Sequence, residues 1–123
     1  MLVDDHALVR LGFRLLFDTT PDIRIAGEAD TGEQALAMYA EHQPDVVVMD
    51  LNMPGMSGLD IAREVARVRP GLPVLLTSGF VTAELQKSAA TLGVRRVLHK
   101  PDLPNLLAQA VSETLLRPAT PPR

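Results

Sequence analysis

The stretch Val46-Val47-Val48-Met49-Asp50-Leu51-Asn52-Met53-Pro54-Gly55-Met56-Ser57-Gly58 changes character at Asp50. Before it, three valines and a methionine form a short apolar run suited to a strand covered on both faces. After it, Pro54, Gly55, Ser57 and Gly58 break the run as turn residues do. Beyond them Ile61, Val65 and Val68 recur at i, i+4 and i+7, which is one face of a helix. The segment therefore reads strand, loop, helix, with an acid at the carboxyl end of the strand.

The same unit repeats outward in both directions. Leu2-Val3, Val74 to Leu76 and Val97-Leu98 are further short apolar runs, expected as central strands. Ile23 to Ala29 alternates instead, with Arg24, Ala26 and Glu28 between Ile23, Ile25 and Gly27, so it is expected as a half-exposed edge strand. Val9, Phe13 and Leu16 share one helix face, as do Leu85, Ala89 and Leu92. Thr31 with Gln34 resembles a capping box, Ser57 and Thr82 precede helical patterns, and Asp102 precedes Leu103-Pro104. Five helices follow. The helix around Leu85 offers mainly alanine to a core, so it is expected to be the most weakly held. Alternating strands and helices predict an α/β fold, a doubly wound five-stranded parallel sheet with the order 2-1-3-4-5.

Composition sets the outer limits. The chain has 123 residues, 46% hydrophobic and 22% charged, which suits one folded domain with its own core. A formal net charge of -3 with no Trp, one Tyr and three Phe gives nucleic acid neither a basic footprint nor a stacking platform. The absence of Cys removes disulfides and thiolate metal sites. No apolar run approaches the ~18 residues of a membrane span, and no secretory leader is evident, so a cytoplasmic location without a membrane partner is expected. The expected domain covers residues 1–116. Residues 117–123 read as a proline-rich tail or linker.

The proposed order gathers Asp4 and Asp5, which end the first strand, with Asp50, which ends the third. Carboxylates so placed repel one another unless a hard cation such as Mg2+ neutralises them; a solvated acidic loop is the plain alternative. Ser78 and Lys100, at the ends of the fourth and fifth strands, face the same edge. A hydroxyl and an ammonium can hold phosphoryl oxygens while an ionised aspartate acts as nucleophile without a general base. His6, His42 and His99 show no ligand spacing, and Gly55 to Gly58 lacks the lysine of a phosphate-binding loop.

These residues resemble the receiver domains of bacterial response regulators in two-component signalling. The likeness rests on Asp4-Asp5-His6, on Val48 to Gly58, on Pro73 to Gly79 ending Thr77-Ser78-Gly79, and on Lys100-Pro101, and it spans residue 2 to about residue 116. It implies a flavodoxin-like receiver fold, for which the 2-1-3-4-5 order is already described. It makes Asp50 the phosphoacceptor, with Asp4, Asp5, Asp50 and the backbone carbonyl of Asn52 holding Mg2+ or Mn2+. Ser78 becomes the switch hydroxyl, preferred to Thr77 because Gly79 supplies the small residue that follows it. Lys100 becomes the phosphoryl-binding lysine, and Lys100-Pro101 a cis peptide.

The resemblance also implies a partner, a sensor histidine kinase or histidine phosphotransfer protein, and a switched face on the fourth helix, fifth strand and fifth helix. The only catalysis implied is of the chain's own phosphorylation and dephosphorylation. A second copy of the chain and an output domain beyond the tail are compatible with it. The N-terminal half looks like regulators carrying a helix-turn-helix, and Ser78 to Pro101 more like receivers of hybrid kinases, which leaves the output open. One departure stands out: Val97 occupies the place of the family's rotating aromatic ring. Phe80, two residues after Ser78, is expected either to shield the site or to be an exposed loop aromatic or core filler. Two rival readings are an aspartyl-nucleophile phosphatase, which expects an acid where Asn52 stands, and a receiver that binds constitutively.

Overall fold

Strands form where the apolar runs stand. In the computed structural model, which describes residues 1–53, 55 and 57–116, β1 is Leu2–Val3, β3 Val47–Asp50, β4 Val74–Ser78 and β5 Arg96–His99, with the short edge strand β2 at Glu28–Ala29. All pair in parallel, in the order β2-β1-β3-β4-β5. Helices α1 (Ala7–Asp18), α2 (Gly32–His42), α3 (Gly58–Val68), α4 (Ala83–Thr91) and α5 (Leu103–Leu116) provide the crossovers and the final layer. The proline-rich tail and Met56 lie outside the described residues; Met49 and Met53 are buried.

The two faces follow the period of two along each strand. Val3, Val47, Met49, Val74 and Leu76 pack under α2 and α3, against Tyr39, Ile61 and Val65. Leu2, Val48, Leu75 and Leu98 point the other way, against Phe17 of α1 and Leu103, Leu107 and Val111 of α5. A fully buried leucine such as Leu107 is stabilised by about 1.5–3 kcal/mol relative to exposure.

Caps fix where helices begin. Ser57 and Asp60 make a complete capping box on α3, and Thr82 accepts from the Leu85 N–H on α4. Thr31 caps α2 by accepting from Gln34 N–H, but the Gln34 side chain accepts from Asp30 N–H rather than from Thr31. Asp102 does not begin α5 directly: it closes a 3-10 turn, Lys100–Asp102.

Two expectations are corrected. The edge strand does not run from Ile23, because the Ile23 N–H turns back to the Thr20 carbonyl and only Glu28 and Ala29 pair with β1. Ile23 and Ile25 alternate because they pack against the α1 and α5 side of the core. The Lys100–Pro101 peptide is trans, since no cis bond occurs among the described residues. A proline early in a 3-10 turn fits the ordinary trans form, which costs less.

Candidate functional site

The carboxyl ends of β1, β3 and β5 bring the expected charges together. Asp50 and Asp4 are buried, at 1% and 2% exposure, whereas Asp5 is partly open. The Lys100 Nζ lies 3.1 Å from Asp50 Oδ1 and 4.0 Å from Asp4 Oδ2. The Asn52 N–H donates to Asp50 Oδ1 at 3.3 Å. Burial pushes the Asp50 carboxyl above the ordinary aspartate range; hydrogen bonding from Lys100 opposes this, and the charge of Asp4 adds to it.

The loop after β3 is held close by Gly58. A Cβ there would meet the Asp50 carbonyl oxygen at 2.7 Å and the Leu51 Cα at 2.8 Å, so glycine lets the start of α3 lie against the strand end. The Gly58 N–H donates to the Leu51 carbonyl at 2.8 Å, which closes the loop carrying Asn52. On the other side, the Arg10 guanidinium donates to the Asp4 carbonyl and pairs with Glu28. That contact ties α1 to the end of β1.

Ser78 is buried at the end of β4, beside His99 in the sheet register. Its hydroxyl donates to the Phe80 carbonyl at 2.7 Å and accepts from the Phe80 N–H at 3.2 Å, so its hydrogen bonds stay within its own loop. Thr77, the rival hydroxyl, stands opposite Asp50 in register and is also buried. Phe80 is 84% exposed, so it does not fill the core. Val97 is half-buried and packs against the α2 and α3 side.

Two residues take a place that spacing did not reveal. The His6 Nδ1 lies 3.2 Å from Asp4 Oδ1 and 3.0 Å from Asp5 Oδ1, beside the acids it follows in sequence. His99 reaches from β5 to the Gly79 carbonyl, 2.9 Å from Nε2, and so touches the loop after Ser78. His42 ends α2, away from both.

The carboxylates of the pocket fit a hard divalent cation. Asp4, Asp5, His6 and Asp50 each offer a ligand atom within 4.8 Å of the others. Asp50 Oδ2 and Asp4 Oδ2 are buried without a hydrogen-bond partner, a costly state that a cation would relieve.

The profile of the response regulator receiver domain matches residues 1–112. The chain belongs to that family. It is 33% identical over 110 residues to an uncharacterised transcriptional regulatory protein, YxjL, of Bacillus subtilis, covering 89% of this chain and 50% of that protein. This receiver thus spans about half the length of such relatives. Among solved structures, a LuxR-family two-component response regulator from Aurantimonas superposes with a TM-score of 0.90 at 32% identity, covering 99% of this chain and 88% of that one. The CheY of Borrelia burgdorferi, solved with CheX, BeF3 and Mg, gives 0.81 at 26% identity, covering 91% and 85%. The receiver is a signalling domain of two-component systems, and none of its described helices is long and apolar enough to cross a membrane.

Proposed function

We propose that this receiver is a phosphorylation-dependent switch in which Asp50 accepts a phosphoryl group from a histidine kinase or histidine phosphotransfer protein. The observation that carries the reading is the buried Asp50 carboxylate with the Lys100 ammonium 3.1 Å away and Asp4 beside both. Asp50 forms a bond to phosphorus as the donor's phosphorus–nitrogen bond breaks, and the leaving imidazole recovers a proton from solvent. No base is needed, because the attacking oxygen carries its own charge. Lys100 offsets charge on the phosphoryl oxygens, as a loose and electron-rich transition state requires. Asp4, Asp5, Asp50 and the Asn52 carbonyl would hold Mg2+ or Mn2+. When bound, the cation supplies charge neutralisation between these carboxylates and the incoming phosphoryl group.

The signal leaves through Ser78. An anionic phosphoryl oxygen is a stronger acceptor than the Phe80 carbonyl, so the hydroxyl exchanges one for the other and draws the 79–82 loop with it. Helix α4, anchored by little apolar burial, follows, and the α4, β5 and α5 face changes its affinity for partners. Val97 supplies no ring for this task, which leaves more of the coupling to Ser78.

A docking surface for the donor lies nearby. Leu8 and Leu15 are 83% and 60% exposed on α1, and with Phe13, Leu103 and Pro104 they line an apolar groove that reaches Lys100. A helical phosphodonor seated there would cover these leucines and approach the pocket. An aspartyl phosphatase is disfavoured by Asn52, an amide where that chemistry wants a second acid.

The test is chemical. Acetyl phosphate with Mg2+ should add one phosphoryl group to the intact mass, peptide mapping should place it on Asp50, and Asp50→Asn should lose it entirely. Label that persists in the variant, or maps to another aspartate, would sink the assignment.

A further inference from the structure

We propose that His6 is a fourth side-chain ligand of the acidic pocket, so that the pocket takes a borderline d-block cation such as Co2+ as well as the hard ion considered above. The inference rests on the reading of that pocket as a cation site and adds to it a nitrogen ligand with its own selectivity. Two ligand atoms at about 2.1 Å from one ion and at right angles to each other are about 3 Å apart. The His6 Nδ1 stands 3.0 Å from Asp5 Oδ1 and 3.2 Å from Asp4 Oδ1, close to that spacing on two edges at once.

The backbone holds the ring in place. The His6 N–H donates to Asp4 Oδ1 at 2.8 Å, which fixes the His6 Cα over the end of β1. The His6 Nδ1 faces the same oxygen at 3.2 Å, so the tautomer with its proton on Nε2 would present the Nδ1 lone pair to the pocket with little movement of the ring. A second observation is independent of the histidine. Asp50 Oδ2 is buried without a hydrogen-bond partner on a residue 1% exposed, in a carboxylate that shares the ligand cluster. The side chain of His6 is 61% exposed against 3% for Asp4, so the ring lies on the solvent side of the buried carboxylate.

Selectivity follows from ligand chemistry. Carboxylate and carbonyl oxygens suit Mg2+, whereas imidazole suits later divalent metals and adds little for a hard ion. A histidine that served only as a counter-cation to the two acids would behave differently. Its removal would change Mg2+ and Co2+ affinity in the same direction and by the same factor.

The experiment compares the chain with its His6→Asn variant at a pH where imidazole is mostly neutral. Co2+ binding is followed by visible absorption and by paramagnetically shifted imidazole N–H resonances, and Mg2+ binding by calorimetry. His6→Asn should weaken Co2+ by about tenfold or more and lose a shifted ring resonance, with Mg2+ affinity unchanged within about twofold. Equal changes for the two ions, unchanged Co2+ affinity, or shifted resonances that all survive in the variant and so belong to His42 or His99, would refute the ligand role alone. A wild-type chain that binds neither ion would refute the cation pocket as well.

Discussion

Helices α3 and α4 flank neighbouring strands and are anchored very differently. α3 starts in a complete capping box and buries Gly58, Ile61, Ala62 and Val65, whereas α4 buries only Ala89. The contrast extends to the loops before them: Gly58 packs against the Asp50 carbonyl, while the loop before α4 hangs on the Ser78 hydroxyl and the His99 ring. One side of the pocket must keep carboxylates at fixed separations, and apolar burial provides that. On the proposed switch the other side responds to a new acceptor, and a few polar contacts can be exchanged at small cost.

The largest expected difference is in stability. Leu107 is fully buried against the strands, so Leu107→Ala should cost about 2–5 kcal/mol through lost transfer energy and a cavity. Leu85 on α4 is half-buried, and Leu85→Ala should cost about 1 kcal/mol or less. Urea unfolding with a shared m-value measures both. Equal losses would mean that α4 is as firmly packed as the rest, and the contrast would fail.

A smaller effect sharpens the comparison at its functional end. Ser78→Ala removes the hydroxyl that Phe80 holds, so it should still take up a phosphoryl group yet lose most beryllofluoride-dependent backbone NMR shifts in residues 79–92. Val97→Ala should keep them. Shifts that persist in Ser78→Ala, or vanish only in Val97→Ala, would route the coupling through β5 instead.

What the sequence made legible follows the range of the forces involved. Strand order and the two faces of the core come from apolar runs and their period, which are local patterns with a global consequence. Asp4, Asp50 and Lys100 could be placed together because each ends a strand of a sheet whose order was predictable. The length of the edge strand could not, because Ile23 and Ile25 alternate for reasons of packing and not of pairing. The contact of His6 with Asp4 and Asp5 was not legible, because it depends on the turn after β1 and not on a spacing among histidines. The commitment of Ser78 to Phe80 depends on a rotamer and a loop, neither of which leaves a pattern in the chain. The trans Lys100–Pro101 bond depends on the 3-10 turn around it, which the dipeptide does not announce.

The smallest expected effect tests the tight side at its centre. Burial raises the Asp50 carboxyl pKa in the fold, with hydrogen bonding from Lys100 only partly offsetting it. Between the unfolded and folded values the native state binds more protons than the unfolded chain, so stability falls as pH rises through that window. Below it this cost is absent, and above it the cost is complete. Asp50→Asn cannot ionise, keeps an oxygen for the Asn52 N–H, and leaves Lys100 within 4.0 Å of Asp4. The variant should therefore be more stable than the parent at neutral pH by on the order of 1 kcal/mol, with the advantage shrinking toward acid pH. Mg2+ should act in the opposite sense, because an ion that binds the native parent more tightly stabilises it by mass action. Thermal unfolding from pH 4 to 8, with and without Mg2+, measures both terms. A variant less stable than the parent at every pH without Mg2+ would show that the Asp50–Lys100 contact outweighs the cost of burying the charge.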